Sequence, residues 1–228
     1  MRKTLTVLGL AVVLLVSSSM AKADGIVLGP VVTQSGTGFG DVSNILTLHH
    51  QGTEIGAVSW DGSARVITDD AQNTSKVWLF SDIIAAGITS ASDLGIVFNI
   101  SQTGASDVAT LNGFYLDVFD LNGNSVYGTT TCVGCGANYA PVQNGTGGAG
   151  YLFTLDAAAT AALAAFFANP SQYYLGAHGS VGLANGGQEN FYFQPVEAPA
   201  PVPEPGTLAL LGSGFLAIAG LVRRRLFL

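Results

Sequence analysis

Residues 114–124 read FYLDVFDLNGN, and this stretch decides the class of fold. Apolar Phe114, Leu116 and Val118 alternate with three residues that point the other way. A period of two residues places the two sets on opposite faces of a strand. The Asn-Gly pair at 122–123 then supplies a tight hairpin turn, because both residue types tolerate positive φ. The stretch predicts a half-buried antiparallel strand that turns back on itself.

Similar short runs, rich in Val, Ile, Thr, Phe and Tyr and separated by turn signals, fill residues 24–197. A body of roughly 170 residues can form one domain with a hydrophobic core. The pattern predicts a mainly β fold, a β-sandwich of immunoglobulin-like or jelly-roll-like type. The predicted strands are 26–33, 43–50, 55–60, 64–68, 76–80, 95–101, 110–119, 125–131, 150–155, 173–183 and 191–196.

One alanine-rich segment interrupts the β pattern. Asp156 precedes the run AAATAALAAFFAN, and Pro170 follows it. Aspartate caps helix N-termini, and the residue before a proline is disfavoured in the helical region. We therefore expect a helix that packs against the sheets or a partner, because it has almost no polar face. A shorter helical turn is predicted to end at Gly87.

Residues 1–23 predict a secretory signal peptide. A basic head precedes an apolar run over residues 5–16, and Ala21 and Ala23 form an A-x-A site. This combination is typical of cleavage by signal peptidase, here before Asp24. The apolar run is too short for a permanent membrane span.

The charges divide the body from the two ends of the chain. All fifteen acidic residues lie between Asp24 and Glu204, where Arg65 and Lys76 are the two basic residues, which gives a net charge of −13. Long-range repulsion at that charge disfavours contact with anionic lipid headgroups and excludes binding to nucleic acid.

The C-terminus combines a proline-rich linker over residues 198–205 with a predicted transmembrane helix and arginine cluster over residues 206–228. The uncharged stretch from Leu208 to Val222 reaches about 22 Å as a helix, short of a hydrocarbon core of about 30 Å. The arginines are expected to stay on the cytoplasmic side. The residues of this segment that carry the pattern are Val202, Pro203, Glu204, Pro205, Arg223, Arg224 and Arg225.

A Val-Pro-Glu-Pro motif, an apolar helix broken by Gly212 and Gly214, and an arginine cluster in this order resemble the PEP-CTERM sorting tail of exported bacterial proteins. The resemblance implies processing by an exosortase, a membrane-embedded peptidase of Gram-negative bacteria that make exopolysaccharide. It also implies export across the inner membrane, transient anchoring, and a final place at the cell surface or outside the cell. A span this short suits a temporary anchor.

The body resembles uncharacterised β-rich exported domains that precede such tails. The resemblance rests on the segments DLGIVFN at 93–99, LNGFYL at 111–116 and FTLD at 153–156. It implies no activity.

Cys132 and Cys135 are the two cysteines of the chain. They admit a local disulfide, a redox centre or half of a metal site. A redox centre needs a helix N-terminus at the first cysteine, and a metal site needs two further ligands, for which His49, His50 and His178 are available. The oxidising compartment and the spacing favour a structural disulfide.

No cofactor is predicted. The segment DLNGN at 120–124 has oxygen side chains at the first, third and fifth positions of a calcium loop, but Ser125 and Thr131 replace the glycine and glutamate of the EF-hand pattern. We therefore favour a hairpin turn. Calcium held by other loop aspartates stays an open alternative, and these are Asp61, Asp69 and Asp70.

No catalytic role is predicted. The segment HGSVG at 178–182 lacks the glycine that a nucleophile elbow needs two residues before its serine. Glu54, Glu189 and Glu197 are the glutamates of the body, and no pair of carboxylates stands out for glycoside hydrolysis.

We expect a structural or interaction role at the cell surface or in the extracellular matrix, with exopolysaccharide as the partner. The alternatives are a carbohydrate-binding or adhesive module, which an exposed aromatic row would favour, and a secreted hydrolase, which a two-carboxylate pocket or a His-Ser-Asp cluster would favour. Aromatic residues that could stack on sugars, although most aromatics on strands are core, are Trp60, Trp78, Tyr139, Tyr151, Tyr173 and Tyr174.

Overall fold

A computed structural model of the protein describes residues 25–32, 43–102, 108–142 and 150–196. Within these ranges thirteen strands form two sheets, which confirms the predicted mainly β sandwich. No helix in the same ranges is long and apolar enough to cross a membrane. The predicted signal peptide, linker and sorting helix lie outside the described residues.

The strands follow the predicted ones closely. Two additional short strands lie on either side of residues 133–137, and the first of them contains Cys132. In chain order they are β1 (Gly25–Val32), β2 (Ser43–Leu48), β3 (Gln51–Trp60), β4 (Arg65–Asp69), β5 (Trp78–Leu79), β6 (Leu94–Ile100), β7 (Ala109–Asp120), β8 (Ser125–Gly128), β9 (Thr131–Cys132), β10 (Asn138–Tyr139), β11 (Gly150–Leu155), β12 (Tyr173–Asn185) and β13 (Glu189–Pro195). The helices are α1 (Phe80–Ala85) and α2 (Ala157–Phe167), with a 3-10 turn at Ala91–Asp93.

Strands far apart in sequence form each sheet. The six-stranded sheet has the order β2-β13-β6-β11-β1-β9, and its pairs are antiparallel except for β1 with β9. The seven-stranded sheet follows the order β10-β7-β12-β3-β4, with β5 paired to β12 and β8 paired to β7. The predicted hairpin is the connection between β7 and β8.

The predicted alternation of buried and exposed side chains over residues 114–118 is present in β7. Leu116 and Val118 are 0% exposed, whereas Tyr115 is 36% exposed. The hairpin loop occupies residues 121–124, and Gly123 takes a positive φ of 86° while Asn122 does not. The loop is thus longer than a two-residue turn, and glycine is needed at one position.

A stack of three aromatic rings joins the two sheets. Phe191 of β13 lies between Phe98 of β6 and Phe114 of β7, with ring centroids 4.8 Å and 4.3 Å apart and planes within 14° and 13° of parallel. Gly179 of β12 allows the sheets to approach here, because a Cβ at this position would lie 2.9 Å from a methyl carbon of Leu46. The centre of the core therefore sits between β7 and β12 on one side and β6 and β13 on the other.

The alanine-rich helix forms as predicted. Asp156 is the N-cap, and its Oδ1 accepts a hydrogen bond from the backbone N–H of Ala159 at 2.8 Å. Ala159, Leu163 and Phe167 are buried. The ring of Phe167 meets that of Phe80 in α1 edge to face, with centroids 5.1 Å apart. The helix therefore packs onto the sandwich through its apolar residues, as expected from its lack of a polar face.

Candidate functional site

An open groove of about 400 Å³ lies where β7 ends and β12 begins. Its walls are the turn between β7 and β8 and the segment between α2 and β12. The groove presents three amide side chains, one carboxylate and one phenol, and its lining residues are Asp120, Leu121, Asn122, Asn169, Gln172 and Tyr173.

One wall of the groove is held by the neighbouring turn after β3. The indole Nε1 of Trp60 donates a hydrogen bond to the carbonyl oxygen of Leu121 at 3.3 Å. Gly62 has a φ of 96°, and a Cβ there would lie 2.5 Å from the carbonyl oxygen of Asn122. The two turns therefore pack backbone against backbone, and only glycine fits the contact.

Asp120 folds the groove turn, as the hairpin interpretation of residues 120–124 predicts. Its carboxylate accepts bonds from the side-chain amide of Asn124 and from the backbone N–H groups of Asn122 and Asn124, each at 2.9 Å. These bonds, the Asn124 side chain first, lower the pKa of Asp120 because they stabilise its charged form.

Two of the other aspartates considered as calcium ligands also accept hydrogen bonds from backbone N–H groups. Asp61 Oδ1 accepts bonds from Ser63 and Ala64 within its own turn, and Asp70 Oδ2 accepts from the backbone N–H of Ile55 at 2.9 Å. Asp69 has a positive φ of 53° at the end of β4. In the described part of the chain, no three His, Cys, Asp or Glu side chains are grouped to hold a metal ion.

Two stacked aromatic pairs involve residues of the seven-stranded sheet, and the pair of Tyr115 with His178 lies on its outer face. Trp60 stacks on Tyr174 with centroids 4.2 Å apart, and Tyr115 stacks on His178 with centroids 4.4 Å apart. The Trp60 and Tyr174 pair adjoins the groove through the Trp60 bond to Leu121. The remaining aromatic candidates pack in or against the core, and they are Trp78, Tyr139, Tyr151 and Tyr173, the last of which also lines the groove.

His178, Ser180 and Asp117 share this outer face but lack the hydrogen bonds of a catalytic triad. Within the described residues, Nδ1 of His178 has no hydrogen-bond partner, and its ring is held against Tyr115. Burial lowers the pKa of His178, opposed by the charge of Asp117, and burial raises the pKa of Asp117.

Sequence reasoning missed a pair of carboxyl groups in the interior. Glu54 of β3 and Glu189 of β13 are both 0% exposed, and their carboxyl groups lie close enough to share a hydrogen bond if one of them holds a proton. The backbone N–H of His50 donates to Oε1 of Glu54 at 2.6 Å, and the amide of Gln102 donates to Oε1 of Glu189. The pair lies out of contact with solvent and does not form the open two-carboxylate pocket of a hydrolase.

A signal for this pair was present in the alternation. Glu54 precedes Gly56 and Val58 at a spacing of two, and Glu189 precedes Phe191 in the same way. Each glutamate therefore occupies an inward-facing strand position. Periodicity alone does not reveal that the two strands face each other across the sandwich.

The Sγ atoms of Cys132 and Cys135 lie 1.97 Å apart, at the distance of a disulfide bond. Residues 133–136 form a turn between β9 and β10 instead of the start of a helix. The hydroxyl of Tyr139 donates to the carbonyl oxygen of Gly134 at 2.7 Å, which ties this turn to the core. The geometry agrees with a structural linkage that pins a glycine-rich loop.

Residues 201–225 match the family model described as the PEP-CTERM protein-sorting motif. The chain carries a PEP-CTERM sorting motif. The match spans the Val-Pro-Glu-Pro residues and the three arginines, and it confirms the resemblance found in the sequence. The PEP-CTERM motif implies exosortase processing and export, with membrane-anchored transit before the cell surface. Comparisons with curated proteins and with solved structures find no match.

The PEP-CTERM match leaves the folded body without a functional assignment, because it covers the C-terminal tail. The sorting residues and the cleavage residues Ala21, Ala23 and Asp24 lie outside the described part of the chain. The boundaries at residues 23, 197 and 205 stay predictions.

Proposed function

We propose that this exported chain is a structural protein of the cell surface or extracellular matrix whose body contacts exopolysaccharide. The PEP-CTERM motif supports export of the chain towards the cell surface. The groove between β7 and β12 is the observation that carries the contact.

The chemistry of the groove suits a sugar chain. Amide side chains both donate and accept hydrogen bonds, as sugar hydroxyls do, and aromatic rings offer an apolar surface beside them. A volume of about 400 Å³ lies within the range of small-molecule sites. Residues 24–204 carry a net charge of −13, which repels anionic polymers, so the proposed ligand is a neutral polysaccharide.

We propose no catalytic role for this body. The two carboxyl groups that the fold brings together are 0% exposed, so a substrate does not reach them in this conformation. A carbohydrate-binding module is the second candidate, and the two stacked aromatic pairs of the seven-stranded sheet favour it. Both candidate functions use the groove. In the first, the bound polysaccharide holds the protein in the matrix as a structural component, and in the second, binding the polysaccharide is itself the function.

Affinity electrophoresis through gels that contain a neutral polysaccharide from the exporting bacterium tests the groove. Gln172→Ala removes an exposed amide from the lining and should weaken binding about fivefold, because a hydrogen bond contributes about 1 kcal/mol. Gln51→Ala removes an equally exposed amide at the opposite end of β3 and is the matched control. Equal retardation of both variants and the wild type would refute the assignment to the groove.

Cell fractionation with intact-mass measurement tests the route independently. The expected product begins at Asp24 and ends near the Pro-Glu-Pro motif, in the surface or extracellular fraction. Full-length chain recovered from the inner membrane would overturn the sorting proposal and leave the groove assignment standing.

A further inference from the structure

The carboxyl pair formed by Glu54 and Glu189 has fewer hydrogen-bond donors around it than it has buried oxygen atoms. Each Oε1 accepts a hydrogen bond from a neighbouring N–H group. Within the described residues, neither Oε2 has a donor, although both atoms are buried. A buried oxygen without a donor is costly, and two ionised carboxylates in contact repel each other in addition.

In the described part of the chain, neither the arginine nor the lysine is placed to balance two negative charges here. Arg65 donates to the backbone carbonyl oxygens of Asn73 and Ser75, and the ammonium group of Lys76 lies 5.6 Å from the Trp78 ring centre. These are the two basic residues between Asp24 and Glu204. A proton held between the two carboxyl groups satisfies an Oε2 atom and removes the repulsion in one step, as in other carboxyl pairs that share a site.

The pair connects segments that are far apart in the chain. Glu54 belongs to the seven-stranded sheet and Glu189 to the six-stranded sheet. The amide of Gln102 extends the connection, since its Nε2 donates to Glu189 and its Oε1 accepts from the backbone N–H of Asn185 at 2.8 Å. The pair is therefore part of a network that joins β3, β12, β13 and the segment after β6.

We propose that a proton shared by Glu54 and Glu189 locks the two sheets together at this end of the sandwich, and that its loss at alkaline pH releases them. The carboxyl pair is thus a pH-sensitive latch in an exported protein. This proposal does not depend on what the groove binds.

Few other groups act on the pair. His49, from the connection between β2 and β3, favours ionisation of Glu54, and Asp70, which follows β4, opposes it. The register neighbours of the two glutamates on the adjacent strands are apolar, and they are Val181, Leu48 and Ile100.

The direction of the pH effect follows from burial. Burial raises the pKa of Glu54, and burial together with the Glu54 carboxyl raises the pKa of Glu189 from its ordinary 4.5 to about 9. Between pH 4.5 and about pH 9, the folded chain therefore holds a proton that the unfolded chain has lost. Stability is highest at the acid end of this window and falls as pH rises through it, because each unit of pH can raise the unfolding constant by about tenfold for one proton.

Thermal unfolding of the purified protein between pH 7 and 9 tests the latch, since histidines ordinarily titrate near 6.5, below this range. The wild-type melting temperature should fall steadily over this range. Glu189→Gln removes the more strongly shifted acid and keeps its size, so it should flatten the dependence. Glu54→Gln removes the partner carboxyl but leaves Glu189 buried, so it should only reduce the slope. Asp82→Asn removes an exposed carboxyl in α1 and should keep the wild-type slope. A flat wild-type profile, or a wild-type slope in both glutamine variants, would overturn the proposal.

Carbon-13 NMR of the glutamate side-chain carboxyls in the wild-type protein keeps the test decisive if the variants fold poorly. We expect one carboxyl carbon that remains protonated at pH 7 and titrates only above it. Complete ionisation of all glutamates below pH 6 would refute the shared proton.

Discussion

Truncation of Phe191 is the sharpest test of how the two sheets hold together. Phe191 is 1% exposed and lies between Phe98 of its own sheet and Phe114 of the other. Phe191→Ala should lower the free energy of unfolding by about 4 kcal/mol, since buried Phe→Ala changes cost about 3–5 kcal/mol. The upper half of that range is expected because each aromatic contact adds about 0.5–1.5 kcal/mol beyond burial. This loss is a large part of the total stability of a single domain, about 5–15 kcal/mol.

Urea unfolding followed by tryptophan fluorescence measures this loss, with Trp60 and Trp78 as the reporters. Phe191→Leu is the matched control, because it keeps an apolar side chain in the cavity and removes the ring contacts. We expect the leucine variant to lose roughly half as much as the alanine variant, or about 2 kcal/mol. A loss below about 1.5 kcal/mol for Phe191→Ala would refute the view that this stack is the main junction between the sheets.

Three further changes test local features of the fold. Asp156→Ala removes the cap of α2 and should cost about 1 kcal/mol in urea unfolding, and recovery in Asp156→Ser would identify capping as the cause. Gly62→Ala forces a Cβ against the Asn122 carbonyl oxygen, so it should lower both the melting temperature and polysaccharide retardation, whereas Ser63→Ala beside it should leave retardation unchanged. Cys135→Ser opens a very short loop and should cost less than about 3 kcal/mol, with one free thiol appearing on alkylation of the unfolded chain in place of none in the wild type.

Local rules predicted the elements of this fold well. The alternation in residues 114–118 placed Phe114, Leu116 and Val118 in the core because side-chain direction depends on neighbours two residues away. Asp156 marked the start of α2 for the same reason, since a cap contacts an N–H group only three residues on. Contacts between residues two or three positions apart can be predicted from any short segment of the sequence.

The candidate sites depended on contacts between distant segments. The groove joins the turn after β7 to the segment before β12, and Glu54 meets Glu189 across the sandwich. These contacts follow from the order of strands in the two sheets, which strand periodicity does not determine. The predicted strands 55–60 and 191–196 left out both glutamates, and the observed β3 and β13 begin early enough to include them.

The scarcity of basic residues accounts for the chemistry of both sites. With fifteen acidic and two basic residues between Asp24 and Glu204, the body has few cations to pair with its carboxylates. Exposed carboxylates such as Asp61 and Asp120 are stabilised by N–H groups of their own turns, which lowers their pKa. Glu54 and Glu189 have one N–H donor each, so a shared proton must reduce the charge repulsion that a cation would otherwise neutralise.

The same excess of negative charge at the surface favours a neutral ligand in the groove. A polyanion of equal length should therefore be retarded less by the protein than a neutral chain, most clearly at low salt.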